Sequence, residues 1–257
     1  MAQPTPPMAT PKPHVNTWHG QAFPDPYFWL RQKENPEVLA YLKAENAYTE
    51  ALTKDLKPFE GALYQEMLGR IKQTDMAVPY RERGWHYYSR TEEGKQYAIL
   101  CRRKGRMDAP EEVYLDQNLL AEGKAFFSLG NREVSPDGRL LAFTTDTNGF
   151  RQYVLQVKDL TTGQLLSDRA ERVTSVAWAA DSQTLFYTTE DAVTKRSDTL
   201  WRLKLGGQPE RVYREKDELF TVGVDLSLDG KLLVLAIAST DTWEMRLLEA
   251  RRPKGTF

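Results

Sequence analysis

The chain has 257 residues, of which 40% are hydrophobic and 28% are charged, so it can form one large domain or two small ones with a sizeable core. Its 35 Lys and Arg residues balance 36 Asp and Glu residues, which argues against a nucleic-acid-binding protein because such proteins carry a basic excess. The single cysteine, Cys101, excludes an intrachain disulfide and a cysteine-based zinc site, and the longest apolar run, Leu232–Ala238, is too short to span a membrane.

Residues 1–17 predict a flexible tail, because prolines favour an extended backbone that joins neither a helix nor a sheet. The prolines of this segment are Pro4, Pro6, Pro7, Pro11 and Pro13. A ligand for a proline-recognition domain is the alternative interpretation. The segment lacks the apolar core of a secretory signal, so we expect a cytoplasmic protein that does not enter membranes.

Residues 18–75 predict a segment of two helices. Asn35 suits the N-cap position and Pro36 the first helical position, and an apolar face follows through residue 56. A second helix from about Pro58 to Lys72 has an apolar side chain at every fourth position: Phe59, Leu63, Met67 and Ile71. Two helices alone form a poor core, so these faces either pack only on each other or need a partner that covers them.

A repeated turn and strand dominates the rest of the chain. In VSPDGRLLAFTT, the residues Ser135, Pro136, Asp137 and Gly138 suit a type I turn, and a short apolar strand follows. The turn aspartate recurs as Asp181 and Asp229, at intervals of 44 and 48 residues. Such a period, with several short strands per unit, is typical of the blades of a β-propeller. An aspartate can accept hydrogen bonds from its own turn, so we interpret all three as turn formers rather than catalytic carboxylates.

The sequence therefore predicts a mainly β protein, an incomplete β-propeller preceded by the two-helix segment. The propeller would occupy residues 76–257, as about three and a half blades of four-stranded antiparallel sheet. The blades would span about 76–120, 121–170, 171–218 and 219–257, the last one incomplete. Because such an arc cannot close a ring, we expect the front part of a longer protein, whose unpaired edges would promote self-association when it stands alone.

The basic and histidine residues predict no nucleic-acid or metal site. The basic residues 102–104, with Arg106 nearby, are interpreted as a solvated blade edge because Glu111 and Glu112 follow. His14, His19 and His86 are too scattered for a metal cluster and are assigned structural or solvent roles. We expect no bound metal.

The sequence also lacks the residues of several catalytic machineries. None of its nine serines has glycine two residues away on both sides, as a G-x-S-x-G nucleophile elbow requires; Ser128 comes closest, with Gly130 after it. No G-x-G is present, so neither a dinucleotide fingerprint nor a P-loop can form, and we expect no cofactor. No catalytic residue is assigned to this chain.

Several segments resemble the prolyl oligopeptidase family. They are DPYFWL at residues 25–30 and NPEVLAYLKAENAYTEAL, which begins at Asn35. Residues 66–103, with the phrases RIKQTD, VPYR, YYSRTEEGKQY and CRR, are similar to the oligopeptidase B branch of that family, as is RQY at residues 151–153. The resemblance covers nearly the whole chain beyond the proline-rich tail.

The resemblance implies a function for the parent protein. Family members join a seven-bladed propeller to a C-terminal α/β-hydrolase domain, onto which the N-terminal helices pack, and the propeller restricts access to short peptides. The oligopeptidase B branch cleaves after Lys or Arg. By this resemblance the chain is the N-terminal part of such a serine peptidase and is inactive alone, and the RQY match makes Arg151 a candidate contact at the boundary with the hydrolase domain. The alternative is a non-catalytic binding module whose propeller is completed by another copy or by a partner chain.

Overall fold

A computed structural model describes residues 4–257. They form two compact units, one that ends at Lys72 and one that comprises Gln73–Phe257. Residues 1–3 of the predicted tail lie outside the described part. Each unit has its own local architecture, and the second contains all the sheets of the predicted propeller.

The first unit begins with a small hairpin that the sequence analysis missed. Strands β1 (Val15–Trp18) and β2 (Gln21–Pro24) pair antiparallel, and the backbone N–H of Asp25 donates to the carbonyl of His14 over 2.9 Å. The prediction of an unpaired tail is therefore wrong for residues 15–17. No proline follows Pro13 before this strand, so its N–H groups are free to pair.

Two consecutive helices follow, as predicted. A 3₁₀ turn (Phe28–Arg31) precedes α1 (Pro36–Thr53), and a second 3₁₀ turn (Lys54–Leu56) joins it to α2 (Lys57–Gly69). The Asn35 side chain accepts from the N–H of Glu37 at 2.9 Å, which confirms the predicted N-cap.

The second unit starts with two four-stranded antiparallel sheets. Blade 1 consists of β3 (Tyr80–Glu82), β4 (Trp85–Arg90), β5 (Ile99–Lys104) and β6 (Glu112–Asp116). After the short helix α3 (Gln117–Ala121), blade 2 consists of β7 (Ser128–Val134), β8 (Leu140–Asp146), β9 (Val154–Asp159) and β10 (Leu165–Ala170).

Two further sheets continue the series. Blade 3 consists of β11 (Val173–Trp178), β12 (Thr184–Glu190), β13 (Ser197–Lys204) and β14 (Glu210–Arg214). Blade 4 has three strands, β15 (Thr221–Leu226), β16 (Leu232–Ala238) and β17 (Trp243–Glu249). In all four blades each strand pairs with the next one along the chain, and no sheet among the described residues closes on itself. The prediction of a mainly β chain with an incomplete propeller after two helices is confirmed; the exact domain limits stay predictions.

The core of the second unit lies between successive blades. Phe143 of blade 2 packs with Tyr87 of blade 1, Trp178 of blade 3 with Leu155 of blade 2, and Phe186 of blade 3 with Leu235 of blade 4. Because each blade buries one face against its neighbour, the first strands β7, β11 and β15 come into contact and form a continuous concave wall.

The three turn aspartates have the predicted local role. Asp137 accepts from the N–H of Arg139 at 3.0 Å, Asp181 from that of Gln183 at 3.0 Å, and Asp229 from that of Lys231 at 3.1 Å. Hydrogen bonds from Ser227 and Lys231 lower the pKa of the Asp229 carboxyl to about 2. Gly138 has a φ of 78° and its counterpart Ser182 a φ of 56°, so the glycine of the first copy serves a left-handed position that Ser182 adopts against its preference.

The basic run is only partly solvated, which corrects the prediction for Arg102. This side chain is 3% exposed and donates to Glu112 at 2.6 Å and to the carbonyl of Gly138 in the next blade at 2.7 Å. Its guanidinium lies 4.0 Å from the ring centroid of Trp85. Arg102 therefore joins blades 1 and 2, while Lys104 and Arg106 are exposed.

The histidines occupy structural positions. His14 stacks on Phe28 with ring centroids 3.7 Å apart, and His19 lies in the turn of the first hairpin with a φ of 51°. His86 lies in β4, and its Nδ1 is buried without a hydrogen-bond partner in the part of the chain that the structure describes.

Candidate functional site on the concave wall

The first strands of all four blades line one cavity. It has a volume of about 490 Å³, and its lining includes Tyr80 and Glu82 of β3, Glu133 of β7, Trp178 of β11 and Asp225 of β15. A cavity that draws on every blade is the place where a ligand would contact the propeller as a whole.

Hydrogen bonds between blades fix the wall. The indole N–H of Trp178, a side chain only 2% exposed, donates to the carbonyl of Glu133 at 2.8 Å. The N–H of Val224 donates to the hydroxyl of Ser175 at 2.8 Å, which joins blades 3 and 4. These bonds hold neighbouring first strands in a fixed register.

Glu133 is the most perturbed carboxyl group of the wall. Desolvation, followed by the negative charges of Asp225 and Glu82, raises the pKa of Glu133 to about 7, and the positive charges of Arg132 and Arg83 oppose that rise. The Glu133 side chain is nevertheless exposed where it lines the cavity, so its carboxylate form loses only part of its hydration.

A second cavity of about 370 Å³ lies between the first strands of blades 1 and 2. Its lining includes Tyr80, Tyr87, Tyr114 and Arg132. The rings of Tyr80 and Tyr87 stack at 5.5 Å, and Tyr87 meets Tyr114 edge to face at 5.7 Å. This arrangement places phenol groups and a guanidinium group in one cleft.

Arg151 lies away from both of these cavities, in the loop between β8 and β9. Its φ is 58°, its side chain is exposed, and its N–H donates to the Asp146 carboxylate at 2.7 Å. The same carboxylate, on a residue 1% exposed, accepts from the N–H groups of Asn148 and Gly149. The loop therefore presents Arg151 in a defined backbone conformation.

Sequence reasoning missed the residues of the concave wall. A signal for Arg132 is present in the repeats: five residues before each turn aspartate stand Arg132, Val176 and Val224. A charged residue at a position that is apolar in the other copies could have marked it for a role outside the core. No comparable signal marks Tyr114, because its contacts come from the packing of two blades.

The candidate serine of the sequence analysis lines neither of these cavities. Ser128, the serine closest to the elbow motif, has its hydroxyl 3.3 Å from that of Tyr153. Among residues 4–257, no group of three or more His, Cys, Asp or Glu side chains could hold a metal ion. No helix in the same range is both long and apolar enough to cross a membrane.

Comparison with known proteins places nearly the whole chain in one family. Residues 6–257 match the family model for the prolyl oligopeptidase N-terminal β-propeller domain. The chain is 43% identical over its whole length to dipeptidyl aminopeptidase BI of Pseudoxanthomonas mexicana and 34% identical over 96% of its length to protease 2 of Moraxella lacunata. It spans only 38% and 37% of those two proteins.

Solved structures give the same result. Oligopeptidase B from Trypanosoma brucei matches 98% of this chain with a TM-score of 0.86 and 33% identity, and oligopeptidase B from Leishmania major matches 96% with a TM-score of 0.86 and 30% identity. In each case the match covers 38% of the known structure. The four blades and the segment before them therefore follow the N-terminal part of these peptidases, and the chain belongs to the prolyl oligopeptidase family as an N-terminal β-propeller portion.

Proposed function

We propose that the chain is the N-terminal and propeller portion of a serine oligopeptidase of the oligopeptidase B type, which hydrolyses short peptides after Lys or Arg. The observation that carries this proposal is the match to two oligopeptidase B structures over 96% and 98% of the chain. The match is strong at the level of fold, and the specificity for basic residues is the finer part of the proposal.

The propeller would gate access to the catalytic centre. The concave wall has bulky and charged side chains near the C-terminal ends of its first strands, including Arg83, Glu133 and Trp178. In a closed ring such a wall would admit extended short peptides and exclude folded proteins. This restriction would act before any chemical step.

The partner of the chain would be a C-terminal α/β-hydrolase domain of the same protein. The helices support this proposal because α2 exposes large apolar side chains at helical spacing, including Phe59, Leu63 and Met67. Exposed apolar faces of this size are typical of an interface. The catalytic serine, aspartate and histidine would come from that domain, so the 257-residue chain alone would be inactive. A cytoplasmic location stays a prediction.

Arg151 would contribute a polar contact at the boundary with the hydrolase domain. Its support is the RQY match together with the exposed, conformationally fixed loop described above. Replacing Arg151 by alanine in the complete enzyme should change the kinetics or lower the stability, whereas Arg139→Ala, at the opposite end of β8, should do neither. Unchanged kinetics and stability of the Arg151 variant would remove this assignment.

A chimera tests the function. This chain would replace the matching segment of the Pseudoxanthomonas enzyme, and the purified product would be assayed on short peptides ending in Arg-, Lys- and Ala-amide reporter groups and on casein. We expect hydrolysis of the basic reporters, inhibition by a serine-reactive phosphonate, and no cleavage of casein. The chain alone should hydrolyse none of these substrates.

Two results would overturn the proposal. One is a chimera that shows a cooperative melting transition but hydrolyses no peptide. The other is a chimera that degrades casein as readily as the short reporters, since the propeller would then restrict nothing. The alternative of a non-catalytic binding module is not supported by the comparisons with known proteins.

A further inference from the structure

The cleft between blades 1 and 2 has the chemistry of a ligand site. We call it the tyrosine cleft; its lining includes the side chains of Tyr80, Glu82, Tyr87, Tyr114, Arg132 and Glu133. It opens beside the larger cavity, because Tyr80 and Glu82 line both. A ligand on the concave wall could therefore extend a terminal group into it.

The phenol groups of the cleft are held rigidly and stay protonated. Tyr87 and Tyr114 are each only 4% exposed, and their rings are locked in an edge-to-face contact. Burial raises the pKa of both phenols, and the charge of Arg132 opposes the rise for Tyr114. Hydroxyl groups that remain neutral at physiological pH can donate hydrogen bonds to an anion.

Arg132 supplies a positive charge that forms no ion pair with the described residues. Its side chain is exposed, and no Asp or Glu oxygen lies within 4.0 Å of its guanidinium among residues 4–257. Glu82, one of the two carboxylates of the cleft, lies 3.8 Å from Arg83 instead. Glu133, the next residue of β7, also lines the cleft, and the charge of Arg132 acts on its carboxyl group without an ion pair within 4.0 Å.

We propose that Arg132 and the hydroxyl groups of Tyr80 and Tyr114 form a subsite for a peptide carboxylate. A guanidinium group has paired N–H donors that match the two oxygens of a carboxylate, and neighbouring hydroxyl groups can satisfy the remaining lone pairs. The carboxylate is that of a peptide C-terminus or of an acidic side chain. The choice of a peptide as ligand rests on the proposed function, but binding at this subsite needs no catalytic domain.

Such a subsite would help to select short substrates. A peptide whose C-terminus must reach a fixed point on the propeller wall can present only a limited number of residues to a distant catalytic centre. The subsite would thus add a chemical criterion, a free carboxylate, to the steric restriction imposed by the propeller.

The test is a titration of the 257-residue chain with three probes, followed through the ring signals of its tyrosines by NMR. The probes are acetyl-Gly-Ala-Ala as free acid, the same peptide as C-terminal amide, and acetyl-Gly-Glu-Ala-amide. We expect saturable shifts with the free acid and about tenfold weaker binding of the neutral amide, since a charged hydrogen-bonded group is lost. If the glutamate peptide binds as strongly as the free acid, the subsite is supported and accepts a side-chain carboxylate as well as a C-terminal one.

Matched variants localise the effect. Arg132→Gln should weaken binding of the free acid about tenfold, and Tyr114→Phe should weaken it less, because it removes one neutral hydroxyl. Arg169→Gln, an exposed arginine on the outer strand of blade 2, should bind like the unmodified chain. Melting curves of each variant confirm that it is folded.

Two results overturn the inference: equal affinity of the chain for the free acid and the neutral amide, or a folded Arg132→Gln variant that binds the free acid as tightly as the unmodified chain. Because no hydrolysis is measured, this failure is distinct from failure of the proposed function, which the chimera reports.

Discussion

Two glycines on the concave wall should respond in opposite directions to the same substitution. Gly130 lies in β7 and Gly223 in β15, each in the first strand of a blade and neither with a positive φ. A Cβ at Gly130 would stand 2.5 Å from the hydroxyl of Thr144 and 2.8 Å from the ring of Tyr153, whereas a Cβ at Gly223 would meet nothing within 4 Å. Both variants restrict the unfolded backbone to the same degree, so the difference in stability between them measures packing around the added Cβ.

The expected magnitudes follow from these distances. Crowding a well-packed site costs about 1–3 kcal/mol, and Thr144 cannot move easily because it is fully buried and accepts a hydrogen bond from the N–H of Asn131 at 2.8 Å. Replacing glycine by alanine also restricts the unfolded chain, which stabilises the protein by about 0.4–1 kcal/mol where no strain results. Gly130→Ala should therefore lower the free energy of unfolding by up to about 2.5 kcal/mol, and Gly223→Ala should raise it by up to about 1 kcal/mol.

Urea unfolding followed by tryptophan fluorescence measures both changes, with circular dichroism as a second probe of the same transition. A matching difference should appear in the melting temperature, about 2–4 °C for each kcal/mol in a unit of this size. If Gly130→Ala proves as stable as Gly223→Ala, the close packing of β7 against Thr144 and Tyr153 is wrong. If both variants are destabilised equally, the open space at Gly223 is wrong.

Two further predictions concern the wall. Trp178→Phe should destabilise the chain by about 1–3 kcal/mol, because it leaves the carbonyl of Glu133 without its indole donor. In urea titrations it should cost more than the control Trp201→Phe, whose indole N–H donates to Thr189 within the same blade. Equal costs would contradict a stabilising role for the hydrogen bond between blades. Glu133→Gln should match the unmodified chain in melting temperature at pH 4 and exceed it at pH 8. The pKa of Glu133 is raised from 4.5 to about 7, so the folded chain loses stability as the pH rises through that interval. The loss is the cost of holding the charged carboxylate in the folded state, which glutamine does not carry. Identical melting temperatures of the two proteins at pH 8 would contradict the raised pKa.

Local chemistry accounts for the parts of the fold that the sequence predicts well. The cap at Asn35 and the turns at Asp137 and Asp229 depend on hydrogen bonds between residues two positions apart, which any conformation of the rest of the chain would allow. The hairpin β1–β2 was missed because its pairing is weakly encoded, with one turn glycine, Gly20, and a proline-rich flank. Arg102 was misjudged because neighbouring charges in sequence say nothing about a carbonyl in the next blade.

The amino-acid sequence by itself determined the repeat, the helices and the missing catalytic elbow, since each of these depends on spacing or on short-range hydrogen bonds. It indicated the family only through segments, such as DPYFWL, that resemble known members. Only the tertiary structure placed Arg132 and Tyr114 in one cleft. It also placed the indole N–H of Trp178 against the carbonyl of Glu133, 45 residues earlier in the chain. These contacts arise where the faces of two blades meet, and their geometry depends on twist and packing that no local pattern records.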